Sequence, residues 1–292
     1  MNPLMAAAGW GHHNACMQIA AVQMVATPDV DRNLAAAAQR IAEAAEAGAS
    51  LVALPEYFCL MGQRDSDKLA HAEAPGADGG KVQRFLSEAA RRHGVWLVGG
   101  TLPVCTGDSA RVLNRCVVVA PDGSQAGHYD KIHLFRFDNG RESYDEGRVL
   151  EAGSTPVALT LPTAAGPLRI GLSVCYDLRF PELYRALSFQ PGQPPCDLLL
   201  VPSAFTYTTG RAHWELLLRA RAVENQCYVL APAQGGLHEN GRRTWGHSMV
   251  VDPWGEVLAQ REEGEGVVLA ELDLARLSEV RQQLPALMHR RM

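Results

Sequence analysis

Ile170-Gly-Leu-Ser-Val174-Cys175-Tyr176-Asp-Leu-Arg179-Phe-Pro181-Glu182 is the stretch on which the reading of this 292-residue chain turns. Its first five residues form a short apolar run of the kind buried in the middle of a sheet. Pro181 suits the first turn of a helix, where its missing N–H would find no partner anyway. Cys175 stands between the two, at a strand-to-turn junction near backbone N–H groups. Such groups stabilise a thiolate and, later, a developing oxyanion.

The same strand–helix unit recurs on both sides. Residues 19–22 read as a buried strand, and Asp29 and Asp31 then offer N-caps to an alanine-rich helix that stops near Gly48. Residues 51–54 form another short strand, broken by Pro55. Val82, Phe85, Leu86, Ala89 and Ala90 share one face of a helix closed by Gly94, and residues 95–98 are the next strand. Downstream, residues 198–201 predict a strand, and helices are expected over 181–189, 212–225 and 274–283. Two hairpins of similar shape turn at Pro121-Asp-Gly123 and at Asp252-Pro-Trp-Gly255. The pattern predicts an α/β fold: mixed sheets layered with helices, in one domain over residues 17–292. Residues 1–16 read as a loose leader. They have neither the basic start nor the apolar run of a signal peptide.

Composition narrows the function. With 47% hydrophobic and 20% charged residues the chain is an ordinary globular protein, and its net charge of -5 argues against a nucleic-acid partner. No apolar stretch approaches the ~20 residues of a membrane helix. The seven cysteines form no CxxC pair, which excludes a zinc ribbon and fits a reducing, cytoplasmic setting. There is no HExxH, no GxxxxGK[ST] and no GxGxxG after a strand, so neither a metal nor a nucleotide cofactor is expected.

Three reactive residues each follow a predicted strand: Glu56, Lys131 and Cys175. Ligand sites of α/β sheets gather beyond strand ends, so the three can meet there. A carboxylate to take the thiol proton and an ammonium to balance the oxyanion make a sensible nucleophilic set. Each also has a plainer reading: a small core cysteine, a helix-capping glutamate, a solvated lysine. A histidine base, at His213 or His247, would instead give a papain-like arrangement. Spacing alone leaves these open.

The wording of the segments is more specific. Leu54-Pro55-Glu56, Tyr129-Asp-Lys131-Ile-His133-Leu and Val174-Cys175-Tyr-Asp-Leu-Arg-Phe-Pro-Glu182 resemble, in order, the three signature blocks of the nitrilase superfamily of carbon–nitrogen hydrolases. The resemblance spans nearly the whole chain after the leader. It implies an α-β-β-α sandwich, a homodimer or higher homo-oligomer, and a Glu–Lys–Cys triad of Glu56, Lys131 and Cys175. It also implies a second glutamate, matched by Glu142 in Arg141-Glu142-Ser143, that positions Lys131. The later segments, among them Pro202-Ser-Ala-Phe205 and Trp245-Gly-His-Ser-Met-Val-Val-Asp-Pro-Trp-Gly255, are similar to the branch holding deaminated glutathione amidase and omega-amidase. The implied substrate is a small carboxylate-bearing amide, cleaved through a cysteine thioester with release of ammonia. N-carbamoyl compounds and nitriles use the same triad, so the triad does not choose between them. Candidate substrate-binding residues are Tyr176, Phe205, Tyr144 and Arg179, with Arg136 and Arg211 as further cations near the blocks. Arg179 also reads, and more readily, as an ion-pair partner of Asp177 or Glu182. Trp214, at helical spacing with Leu218 and Arg221, reads as core.

Overall fold

Successive side chains of a strand point to opposite faces, and here both faces of the central strands are apolar, so each sheet must be covered twice. The computed structural model describes residues 16–76 and 79–291. Its main elements run β1 (Cys16–Gln23), α1 (Val30–Glu46), β2 (Ala49–Ala53), α2 (Lys81–His93), β3 (Trp96–Cys105), β4 (Val112–Val119), β5 (Gln125–Asp130), β6 (Ala158–Thr163), β7 (Gly166–Leu172), α3 (Pro181–Ser188), β8 (Leu198–Leu200), α4 (Tyr207–Asn225), β9 (Tyr228–Ala231), β10 (Ser248–Val251), β11 (Val257–Arg261), β12 (Gly266–Asp273) and α5 (Leu274–Gln283). Of the expected leader, all but Cys16 lies outside the described residues. Cys16 already belongs to β1 and pairs with Asp273.

One sheet has the order β12-β1-β2-β3-β4-β5 and the other β11-β10-β9-β8-β7-β6. In each, three parallel strands form the centre and antiparallel strands flank them. The two sheets are therefore one topology used twice, and the two hairpins read from the sequence occupy equivalent places in it. Ile19, Ala21, Leu51, Ala53, Val98 and Val118 face the second sheet's Leu168, Ile170 and Leu172 in the shared core. The alternate residues Ala20, Val22, Val52, Leu97 and Val117 pack against Leu34, Ile41 and Leu86 of α1 and α2. Trp214 and Leu218 of α4 cover the far side of the second sheet. The layers are α-β-β-α, as the resemblance implied.

Helix ends follow local chemistry. The Asp29 side chain accepts from the Arg32 N–H, and Gly94 closes α2 in the left-handed region at φ 65°. Helix α4 begins five residues earlier than read from the sequence. Thr206 caps it by accepting from Thr209 N, and Gly210, inside its first turn, is required for packing. A Cβ there would lie 2.3 Å from the Trp245 Cβ.

Candidate active site

Glu56 leaves the carboxyl end of β2 in the first sheet, and Cys175 that of β7 in the second. Lys131 is the first residue after β5. Close backbone approach fixes each exit. Leu54 N–H still donates to Val98 O at 2.9 Å, and a Cβ on Gly100 would fall 2.1 Å from both the Leu54 and Pro55 carbonyl oxygens. Lys131 N–H donates to Asn114 O, and its own carbonyl accepts from Gly153 N–H. At Cys175 the chain passes from an extended Val174 into a short 3-10 turn, Cys175–Arg179, and takes φ 50°. A non-glycine residue at positive φ is sparsely populated and costs of order 1–3 kcal/mol, so its surroundings must hold it there. Asp177 does much of this. Its buried carboxylate accepts from Val174 N–H (2.8 Å), the Tyr129 hydroxyl (2.7 Å) and His133 N–H (3.0 Å), tying the cysteine turn to the lysine segment.

The three side chains meet. Lys131 Nζ donates to Glu56 Oε1 at 2.9 Å, and both side chains are shut off from solvent. Asn114 Nδ2 also donates to Oε1 (2.9 Å), while Ala204 N–H donates to Oε2 (3.0 Å). The Cys175 thiol lies near enough to the same carboxylate, to the Lys131 ammonium and to the Ala204 N–H for each to act on its charge. Cys175 N–H itself is taken by Pro202 O at 3.0 Å. Among the described residues no acceptor takes the Tyr176 N–H, the next amide of the turn.

Burial and pairing set the charges. Burial is the largest influence on Cys175, and with the nearby Glu56 carboxylate it holds the thiol well above its ordinary range, against the pull of Lys131. Burial likewise raises Glu56, partly opposed by the Lys131 ammonium. For Lys131 burial works against the charge, yet the Glu146 and Glu56 carboxylates outweigh it and the ammonium titrates well above its usual range. The arrangement is a neutral thiol poised beside a carboxylate of raised basicity, with a permanent cation behind it. It suits proton removal from sulfur at the moment of attack, because a free thiol at neutral pH is only a few per cent thiolate.

The second carboxylate on Lys131 is Glu146, not Glu142. Lys131 Nζ lies 2.7 Å from Glu146 Oε2 and 3.0 Å from Oε1, and Glu146 also accepts from Phe135 N–H (2.7 Å) and the Tyr57 hydroxyl (2.8 Å). These donors hold its carboxyl below the ordinary range despite burial. Glu142 sits at the tip of a hairpin formed by Arg136–Asp138 and Ser143–Asp145, where its N–H and carbonyl bind Asn139 and its side chain accepts from the Thr208 hydroxyl. The Asn139-Gly140 turn, with Gly140 at φ 79°, reverses the chain before Glu142 can reach Lys131. That turn was the available signal: Asn-Gly between alternating residues marks a tight hairpin, and the pairing register carries Glu146, not Glu142, back beside Phe135. Asn114 and Asp177 gave no comparable signal, since each acts through a partner remote in sequence.

A small pocket opens over Cys175, lined by Phe135, Tyr176, Arg179, Ala204, Phe205 and Thr209 among others. Tyr176, Phe205 and Arg179 thus border the thiol. Arg179 forms no ion pair with Asp177 or Glu182. Its guanidinium lies 5.6 Å from the Phe205 ring and 5.8 Å from that of Tyr176, and touches His213 at 3.3 Å. Tyr144 lines a second, neighbouring cavity. Arg136 and Arg211 are solvent-facing and border neither cavity. His213 and His247 are likewise absent from the lining around Cys175. His247 stacks on Trp245, with ring centroids 3.9 Å apart.

Comparison with known proteins places this geometry among relatives. Residues 18–282 match the model of the family described as carbon-nitrogen hydrolase. A deaminated glutathione amidase from Synechocystis sp. is 42% identical over 273 residues, covering 93% of this chain and 97% of that protein. The crystal structure of the Caenorhabditis elegans NitFhit protein superposes with a TM-score of 0.83 at 39% identity, covering 94% of this chain and 65% of that longer one. A glutamate-to-glutamine variant of an amidase from Nesterenkonia sp. AN1, which shows Michael addition of acrylamide at its active site cysteine, superposes with a TM-score of 0.74 at 28% identity, covering 92% and 98%.

Proposed function

Because the chain belongs to the carbon–nitrogen hydrolase family, we propose that it is an amidase of the deaminated glutathione type in which Cys175 is the nucleophile, Glu56 the general base and Lys131 the electrostatic partner. The observation that carries the reading is the convergence of a thiol held at φ 50°, a raised carboxyl and a buried ammonium, with the thiol opening into a pocket. The Synechocystis relative supports the substrate class, since it carries that name and aligns over nearly its full length. The Nesterenkonia amidase supports the nucleophile, since acrylamide adds to its cysteine.

In the proposed cycle Glu56 Oε2 takes the thiol proton as the sulfur attacks the amide carbonyl. The Tyr176 N–H and the Lys131 ammonium receive the oxyanion. Collapse breaks the carbon–nitrogen bond, Glu56 returns its proton to the departing amine, and a thioester remains on Cys175. A water deprotonated by Glu56 attacks the thioester, releasing the acid and restoring the thiol. Deaminated glutathione keeps the secondary amides of its parent, so the departing group there is an amine-bearing peptide. A primary amide would give ammonia. Arg179 is the cation placed to receive a carboxylate of the substrate.

The test is hydrolysis of deaminated glutathione followed by mass spectrometry, with Cys175→Ala as control. Turnover by wild type, none by the variant, and an acyl mass on the Cys175 peptide after acid quench support the reading. Retained turnover in Cys175→Ala sinks it. An exposed apolar stripe at Leu216, Val223 and Trp254 (68%, 51% and 51% exposed) supports the homodimer. Light scattering that gives a monomer at micromolar concentration refutes it. The free cysteines are compatible with a reducing, cytoplasmic location.

A further inference from the structure

Beside the Cys175 pocket lies a second, narrow one, bordered by Tyr57, Tyr144, Arg242 and Arg243. The two share Ala204 and Thr206 in their walls, and Ala204 N–H binds the Glu56 carboxylate. They therefore adjoin at Ala204 and Thr206, beside the Glu56 carboxylate, and a substrate lying across Ala204 would place one end in each.

We infer that Arg242 holds a carboxylate on the leaving-amine side of the substrate, and so selects amides that carry an anion at that end. This deepens the proposed substrate reading and rests on it. The two arginines of the second cavity are not equally available. Arg243 Nη2 is neutralised by Glu263 at 2.8 Å, and its guanidinium lies flat over the Tyr207 ring at 3.9 Å. Arg242 meets Asp65 only at 3.4 Å, and that carboxylate is already bound by Lys68 Nζ at 3.1 Å. Its guanidinium rests 4.9 Å from the Tyr144 ring, which orients the planar fork without consuming its charge.

Reach assigns the ends. At the acyl amide next to the 2-oxo acid of deaminated glutathione, one carboxylate stands four bonds from the scissile carbon. The glycyl carboxylate stands six bonds away on the amine side. Arg179 shares the cavity of Cys175, whereas Arg242 borders only the adjoining one. The nearer cation matches the shorter arm, and Arg242 matches the longer.

The experiment compares kcat/KM for deaminated glutathione and for its analogue amidated at the glycyl carboxylate, using wild type, Arg242→Gln, Arg242→Lys and Arg179→Gln. Wild type is expected to prefer the free acid by about ten- to a hundredfold, the range for a hydrogen bond to a charged group. Arg242→Gln should bring that ratio close to one, and Arg242→Lys should restore part of it. Arg179→Gln should lower both rates without abolishing the preference. The ratio is read within one preparation, so a partly misfolded variant does not distort it. Equal use of the two substrates by wild type overturns the inference, as does a preference that survives Arg242→Gln. If wild type cleaves neither compound, the substrate reading itself falls.

Discussion

Replacing Glu146 by glutamine keeps the size of the side chain and removes the charge that anchors Lys131. The lost contact is a buried ion pair with oxygens at 2.7 and 3.0 Å from Nζ, on a carboxylate only 14% exposed. At an effective dielectric constant of ~20 the gross attraction at this separation is about 6 kcal/mol. Desolvation of both groups offsets most of it, and Lys131 keeps Glu56, so the net loss should be nearer the ~1.5–3 kcal/mol of a charged hydrogen bond. At roughly 2–4 °C per kcal/mol for a chain of this size, the melting temperature should fall by about 3–12 °C. Lys131 would then lean wholly on Glu56 and lower its basicity, so turnover should drop on the order of a hundredfold. Glu142→Gln is the matched control: its side chain meets Thr208 and Tyr144 at a hairpin tip, away from Lys131, and surface changes of this kind stay within about 0.5 kcal/mol. Thermal melts and hydrolysis rates on both variants check the contrast. The sign with pH follows too. Glu146 titrates below its ordinary value when folded, so its stabilisation is present above the unfolded carboxyl pKa of ~4.3 and is lost as pH falls through the lower folded value. The two melting curves should therefore converge in acid. Equal damage from the two substitutions, or greater damage from Glu142→Gln, would refute the reasoning.

Asn114→Leu removes a donor to Glu56 Oε1, which should push an already raised carboxyl higher. The acid limb of kcat/KM against pH, expected above the ordinary glutamate value of ~4.3 in wild type, should then move further up. A wild-type limb at or below that value, or one that Asn114→Leu leaves in place, counts against Glu56 as base. Lys131→Ala should cost at least about a hundredfold in turnover, the scale of a lost oxyanion donor, and a rate within tenfold of wild type would contradict it. Iodoacetamide at neutral pH should label the exposed Cys105 before Cys175, whose thiol is held protonated by burial; peptide mapping in the reverse order would show that the thiol is ionised at rest. Gly100→Ala should destabilise the fold by about 1–3 kcal/mol in urea titration, since its Cβ meets two carbonyl oxygens at 2.1 Å. An unchanged midpoint would mean the Glu56 exit is slack.

The parts of this molecule readable from sequence were those written in local chemistry. Apolar runs gave β2, β7 and β8. The Pro121-Asp-Gly123 and Asp252-Pro-Trp-Gly255 turns gave both hairpins, and Asp29 and Gly94 marked helix ends. Glu56, Lys131 and Cys175 were legible because each closes a strand, and strand ends are where sheets expose side chains to one another. Contacts across the fold were not legible. Asn114 reaches Glu56 from the middle of β4, and Asp177 gathers Tyr129 and His133 from more than forty positions away. Glu142 was assigned by the match of its neighbouring letters alone, and Glu146 was not considered, because the effect of the intervening turn lies in three dimensions. The start of α4 was placed five residues late, and the Trp245 contact that requires Gly210 inside the helix is remote in sequence.

The duplicated sheet topology has a consequence for how such a protein is disarmed. Glu56 and Lys131 hang from one half and Cys175 from the other, and the halves meet through the shared apolar core and through hydrogen bonds that cross the seam, Tyr129 to Asp177 and Ala204 to Glu56 among them. A slip of an ångström between intact halves would part nucleophile from base while every strand kept its own ladder. Inactivation under mild denaturant or pressure therefore belongs to the docking of two rigid bodies, and should run ahead of any loss of circular dichroism.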